Sequence, residues 1–182
     1  MDHFDVLGLP GPFLRIDLER LEETFYAKIR LLHPDRFQLK EPLELEISLA
    51  RSAELNEAYR TLKDKKARVK YVLDRFGGGA GDPKNVPSEL AELYFDLQDL
   101  LGEPGQTARL SELRRELETR QQELERKLNE ESAAWDAAWR EGSAPKKEEA
   151  LGRLRDLLHQ GNYASSMLRD IAKRVGEGTE QV

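Results

Sequence analysis

Asp17-Leu18-Glu19-Arg20-Leu21-Glu22-Glu23-Thr24-Phe25-Tyr26-Ala27-Lys28-Ile29-Arg30-Leu31-Leu32-His33-Pro34-Asp35 reads as one amphipathic helix followed by its stop. Leu18, Leu21, Phe25, Ile29 and Leu32 recur every three or four residues, the spacing that lines one face of an α-helix. Asp17 is placed to cap the first turn, and Glu19, Glu22 and Glu23 lie near the positive end of the helix dipole. Pro34 ends the run, because its ring fills the space of the next helical hydrogen bond.

On the C-terminal side a second helix is expected after Pro42, with Leu45, Leu49, Ser52, Leu55, Ala58, Tyr59 and Leu62 on its inner face. A shorter third helix follows, with Val69, Val72 and Leu73 facing inward. The two longer helices, joined by the loop at 33–42, read as an antiparallel hairpin. Upstream, Phe4-Asp5-Val6-Leu7-Gly8-Leu9-Pro10 reads as a short apolar turn ending in glycine. Nothing alternates with a period of two, so no sheet is expected.

Phe76-Gly77-Gly78-Gly79-Ala80-Gly81-Asp82-Pro83-Lys84-Asn85-Val86-Pro87 breaks the helical pattern. Glycine favours no single backbone conformation and proline stops helices, so the stretch reads as a linker. It lacks the Lys-Ser/Thr pair that a phosphate loop needs. Beyond it, Ser88 opens a helix to about Leu101, which Gly102, Pro104 and Gly105 end. A long helix then carries Leu110, Leu113, Leu117, Leu124 and Leu128 as a coiled-coil-like seam, with Trp135 and Trp139 expected to close its far end. After a turn at Gly142 to Pro145, a last helix carries Leu151, Leu154, Leu158, Met167, Ile171 and Val175, with a weak point at Gly161-Asn162. The expected fold is all-α: an N-terminal hairpin unit (1–75), a linker (76–87) and a C-terminal three-helix bundle (88–176) dominated by one long antiparallel hairpin.

Composition excludes several function classes. The 182 residues include no cysteine, so disulfides, thiolate metal sites and cysteine nucleophiles are ruled out. His3, His33 and His159 stand far apart with no acidic partners at metal-ligand spacing, so neither a metal nor a cofactor is expected. A net charge of −6 argues against a general nucleic-acid face. With no leader-like or membrane-length apolar run, a soluble cytoplasmic protein is expected.

His33-Pro34-Asp35 is a weak signal alone, since a proline stop followed by a turn explains it. Its context is specific: it closes an amphipathic helix in a hairpin loop, with Phe4–Pro10 upstream and Leu55-Asn56-Glu57-Ala58-Tyr59-Arg60-Thr61-Leu62 and Ala67-Arg68-Val69-Lys70-Tyr71-Val72-Leu73 downstream. This ordered set resembles the J-domain family over residues 2–75. The resemblance implies docking on a DnaK-class chaperone ATPase and stimulation of its ATP hydrolysis, with no catalytic group supplied by this chain. His33, Pro34 and Asp35 would then form the contact. Pro34 sets the backbone so that its neighbours project, and Asp35 accepts hydrogen bonds from a chaperone arginine. Arg30, Arg36 and Lys28 would add positive charge, although the phase of Lys28 lies near the core side. Many J-domains carry a basic pair where this chain has Tyr26 and Ala27, so the charged patch is thinner.

Asp2-His3-Phe4-Asp5-Val6-Leu7-Gly8-Leu9, His33-Pro34-Asp35-Arg36-Phe37, Asn56-Glu57-Ala58-Tyr59 and the helical segment after the linker resemble the HscB family of iron–sulfur cluster assembly. That family implies a second partner, the cluster scaffold protein, held by the first and last helices of the C-terminal unit. On the positions that match, the implied contacts are Phe95, Asp96, Asp99, Ala91 and Glu103, with Tyr163 and Met167 on the last helix. Ala91 stands where the family often has a larger apolar residue. Leu90, Leu93, Tyr94, Leu97 and Leu101 share a face that should be core, and Phe95 falls outside it. A J-domain adaptor for a different client remains the alternative, and an enzyme reading finds no nucleophile, metal or cofactor motif.

Overall fold

A computed structural model describes residues 2–32, 42–77, 88–103 and 105–177, and among these residues it contains helices and no strands. The helices are α1 (His3–Leu7), α2 (Leu18–Leu32), α3 (Pro42–Lys63), α4 (Lys65–Phe76), α5 (Ser88–Gly102), α6 (Thr107–Glu141) and α7 (Ala144–Glu177). His33, Pro34, Asp35, Arg36 and the linker residues 78–87 lie outside the described residues.

The short apolar turn near the N-terminus is a one-turn helix. Asp2 caps it by accepting the Phe4 N–H at 3.0 Å, and Gly8 ends it in the left-handed region at φ 69°. Its Phe4 and Leu7 are buried. Asp17 caps α2 as expected, its Oδ1 accepting the Arg20 N–H at 3.1 Å. Leu21 and Phe25 face inward, and Phe25 stacks on Tyr59 of α3 with ring centroids 4.1 Å apart. Leu18, expected inside, is 47% exposed.

The inner face of α3 also differs from expectation. Leu49 is exposed, and the buried stripe runs through Ser48, Ser52, Leu55, Ala58 and Leu62. The reason is the end of α2, where carbonyls have no partner within their own helix. Ser48 and Ser52 both donate their hydroxyls to the Leu32 carbonyl at 2.7 Å. Polar residues are therefore required where a strictly apolar pattern would have placed leucine. Asp64 caps α4, accepting the Ala67 N–H at 2.7 Å, and Val69, Val72 and Leu73 are buried.

In the C-terminal half, Leu90 and Leu97 of α5 share a core with Leu110, Leu113 and Leu117 of α6 and Met167 and Ile171 of α7. At about 1.5 Å per residue the 35-residue α6 is about 50 Å long. It turns at Gly142, which adopts φ 69° and donates its N–H to the Ala138 and Trp139 carbonyls. From there α7 runs back along α6, with Arg153 paired to Glu131 and Gln121 donating to Ser165. Gly161-Asn162 does not interrupt α7, whose Ser165 hydroxyl donates to the Gly161 carbonyl. Val175, expected inside, is exposed.

Trp135 and Trp139 do more than close the α6–α7 hairpin. Trp135 is fully buried in a core that combines Phe4, Leu7, Leu14, Val69, Val72 and Leu73 with Leu128, Ala150, Leu151 and Leu154. The turn end of the long hairpin is thus packed on the N-terminal helices. Polar groups seam the same junction. Trp135 donates its indole N–H to the Pro12 carbonyl at 2.7 Å, and Arg68 Nε donates to the Leu14 carbonyl at 2.9 Å.

Candidate functional site

Two surfaces carry the residues singled out from the sequence. The first is the C-terminal end of α2. Its last carbonyl, on Leu32, the residue before His33 in sequence, is held by the two serines of α3. Arg30 is exposed, as are Tyr26 and Ala27. Lys28 is half-buried and reaches across to α1, donating its ammonium to the Val6 carbonyl at 2.6 Å. That carbonyl lies at the negative end of α1, so the contact ties α1 to α2. Lys28 is thereby engaged within the fold rather than at the open end of α2.

The second surface spans α5 and its neighbours. Phe95 is 66% exposed, the most exposed large apolar side chain among the described residues. Its ring stands 6.1 Å from that of Tyr94, which stands 5.7 Å from Tyr163 of α7. His159 extends the row, 6.4 Å from Tyr163. Ala91 and Tyr163 are half-buried along this edge. Successive helical residues point about 100° apart, so Asp96 leaves α5 on the other side from Ala91. Asp96 and Asp99 border a groove against α6 with Arg109, Glu112 and Glu116. Further along, Arg120 pairs with Glu89 at 2.6 Å and Glu123 at 3.4 Å. Glu103 is exposed and accepts a hydrogen bond from Gln106 at 2.7 Å.

The expected constellation therefore divides. Phe95, Ala91 and Tyr163 belong to an aromatic edge between α5 and α7, Asp96 turns to an acidic groove between α5 and α6, and Asp99, one turn on from Phe95, borders that groove beside it. Met167 requires correction as a contact residue. At 1% exposure it packs in the core with Leu90, Leu97 and Ile171, and it supports the edge from beneath. Tyr94, read from the sequence as core, is only half-buried and links Phe95 to Tyr163. Glu112 and Glu116 carried no distinguishing mark in the sequence, where they resemble every other solvated acid of α6.

Among the described residues no cluster of His, Asp or Glu is placed to hold a metal ion, and no helix is long and apolar enough to cross a membrane. Two buried ionisable groups, Asp136 and Arg68, sit at the junction of the two halves rather than on either surface. Burial pushes the Arg68 guanidinium down, against the pull of Asp64 and Asp136.

No protein-family model matches the chain. It is 35% identical over 97 residues to the co-chaperone protein HscB homolog of Bordetella petrii, covering 53% of this chain and 56% of that protein. The alignment thus spans less than two thirds of that relative's length. The Bordetella pertussis HscB homolog is 30% identical over 132 residues, which cover 71% of this chain and 77% of the relative. Two solved structures share the fold. Chaperone HscB from Vibrio cholerae has a TM-score of 0.66 at 22% identity, covering 98% of this chain and 99% of its own. Human co-chaperone HscB has a TM-score of 0.70 at 21% identity, covering 96% and 82%.

Proposed function

The chain belongs to the HscB co-chaperone family, and on that premise we propose that it stimulates the ATPase of a DnaK/HscA-class chaperone in the cytoplasm and delivers the iron–sulfur cluster scaffold protein to it. His33, Pro34 and Asp35 make the chaperone contact, following directly on the fixed end of α2. Asp35 engages a chaperone arginine in a charge-assisted hydrogen bond, and Arg30 and Arg36 face acidic chaperone surface. Hydrolysis takes place in the chaperone, and this chain supplies no reacting group.

The observation that carries the client half of the reading is Phe95. A 66% exposed phenylalanine, with exposed Asp99 one helical turn on and Asp96 on the neighbouring groove, is expensive to leave in water and well suited to anchor a partner. Tyr94 and Tyr163 extend the apolar contact toward α7, and the carboxylates set its orientation and favour a basic partner surface. Single-turnover ATP hydrolysis by the chaperone, with and without purified scaffold protein, tests the whole reading. The co-chaperone should raise the rate alone and raise it further with scaffold present.

The burial of Met167 and the small Ala91 narrow the apolar strip. This favours, as a second reading, an adaptor that recruits a different client through the same edge. Calorimetric titration with the scaffold separates the two, because only the first reading expects saturable binding.

A further inference from the structure

The segment between α1 and α2 is clipped to α6 by groups that leave it little rotational freedom. Asp136, 2% exposed, accepts the Leu14 N–H at 2.7 Å on one carboxylate oxygen and the Arg15 N–H at 3.1 Å on the other. Trp135, the preceding residue, donates to the Pro12 carbonyl, and Arg68 of α4 donates to the carbonyls of Leu14 and Leu62. Pro12 to Arg15 is thereby held from both sides. Apolar burial is non-directional and tolerates sliding of one surface over another. Hydrogen bonds require distance and angle together, so the clip adds a directional restraint where the apolar core alone has none.

That angle has leverage. Asp136 lies near one end of α6, and α5, which carries Phe95, packs beside the other end, where its Leu97 shares a core with Leu113. The separation along the helix is about 35 Å at 1.5 Å per residue, so a swing of about 10° at the clip moves the client edge by about 6 Å. The geometry points to Asp136 as a positioning residue: through the backbone of Leu14 and Arg15 it holds the chaperone-facing hairpin at a fixed angle to the client-facing edge, and this couples client binding to ATPase stimulation. The coupling rests on the function proposed above, whereas the fixed angle does not.

The chain has no cysteine, so Glu23→Cys on α2 and Arg115→Cys on α6, both at exposed positions, accept a pair of spin labels cleanly. Dipolar distance measurement on the full chain should give a narrow distribution, broadened several-fold in width by Asp136→Ala. The same substitution should remove most of the scaffold-dependent stimulation while leaving scaffold-free stimulation and scaffold affinity unchanged. Trp135→Phe, which removes the donor to Pro12 together with part of the buried ring, should act in the same direction and serves if Asp136→Ala does not fold. An unbroadened distribution in the folded variants overturns the clip, whatever the client does. A broadened distribution with full scaffold-dependent stimulation overturns the coupling. If the unsubstituted protein shows no scaffold-dependent stimulation, the proposed function and the coupling both fall, and the distances still decide the clip.

Discussion

Asp136 accepts the backbone N–H of Leu14 at 2.7 Å across 122 residues of sequence. The bond joins a loop that precedes the first long helix to the far end of the longest one. Because both partners are buried, neither can recover its hydrogen bond from water when the other is removed.

Asp136→Ala leaves the N–H groups of Leu14 and Arg15 without their acceptor. An unsatisfied buried donor costs about 1–3 kcal/mol, and a loss in stability of that order is expected in urea unfolding. The pH dependence carries a definite sign. Burial pushes the Asp136 carboxyl up, against the pull of the Leu14 and Arg15 N–H groups and the Arg140 and Arg15 guanidinium groups. In the unfolded chain it titrates at about 3.9. Between that value and the raised native one, the native state holds a proton that the unfolded state has released. The titration-linked stability is full below the unfolded value and lost as pH rises through the native one. The difference in unfolding free energy, wild type minus Asp136→Asn, should therefore fall as pH rises from about 4. A difference that grows over the same range contradicts the assignment.

Ser48 and Ser52 share one acceptor, the Leu32 carbonyl. Either Ser48→Ala or Ser52→Ala alone leaves one donor in place and should cost under about 1 kcal/mol. The double substitution strips the carbonyl and should cost more than the two single changes added together. A double-mutant cycle by denaturant unfolding measures this directly, and strict additivity would mean that the shared carbonyl is unimportant.

Asp35→Asn should leave the helical circular dichroism signal and melting temperature of the protein unchanged. It should remove stimulation of single-turnover ATP hydrolysis by the chaperone, because the amide loses the charge that strengthens a bond to arginine. Full stimulation by the folded variant would end the J-domain reading.

Phe95→Ala should weaken scaffold binding by about 1–3 kcal/mol, or about tenfold to a hundredfold. Its melting temperature should barely move, since the side chain is mostly exposed. Asp99→Ala should cost less, and its effect should shrink as salt is added. Stimulation without scaffold should be unaltered in both. A large stability loss in Phe95→Ala with unchanged affinity would move the client surface elsewhere.

Much of the architecture is decided locally and is legible in the linear sequence. The leucines of α6 recur at three and four residues, and every one from Leu110 to Leu128 that was expected inside is buried. Asp17 caps α2 because a short acceptor before an apolar-periodic run has few other conformations to satisfy. Phe95 falls off the seam of α5 by helical arithmetic alone, and it is exposed. Other features depend on which surface arrives opposite. Serine, not Leu49, faces inward on α3 because the end of a different helix presents an unpaired carbonyl there. Asp96 parts from Phe95 because α6 and α7 flank α5 on different sides. Trp135, Asp136 and Arg68 become a junction only when residues 12–15 pass between α4 and α6. Periodicity records which side of a helix is apolar, and it carries no information about the partner that covers that side. That choice belongs to long-range packing, where the directional bonds of a few buried polar groups select one arrangement among several of similar apolar burial.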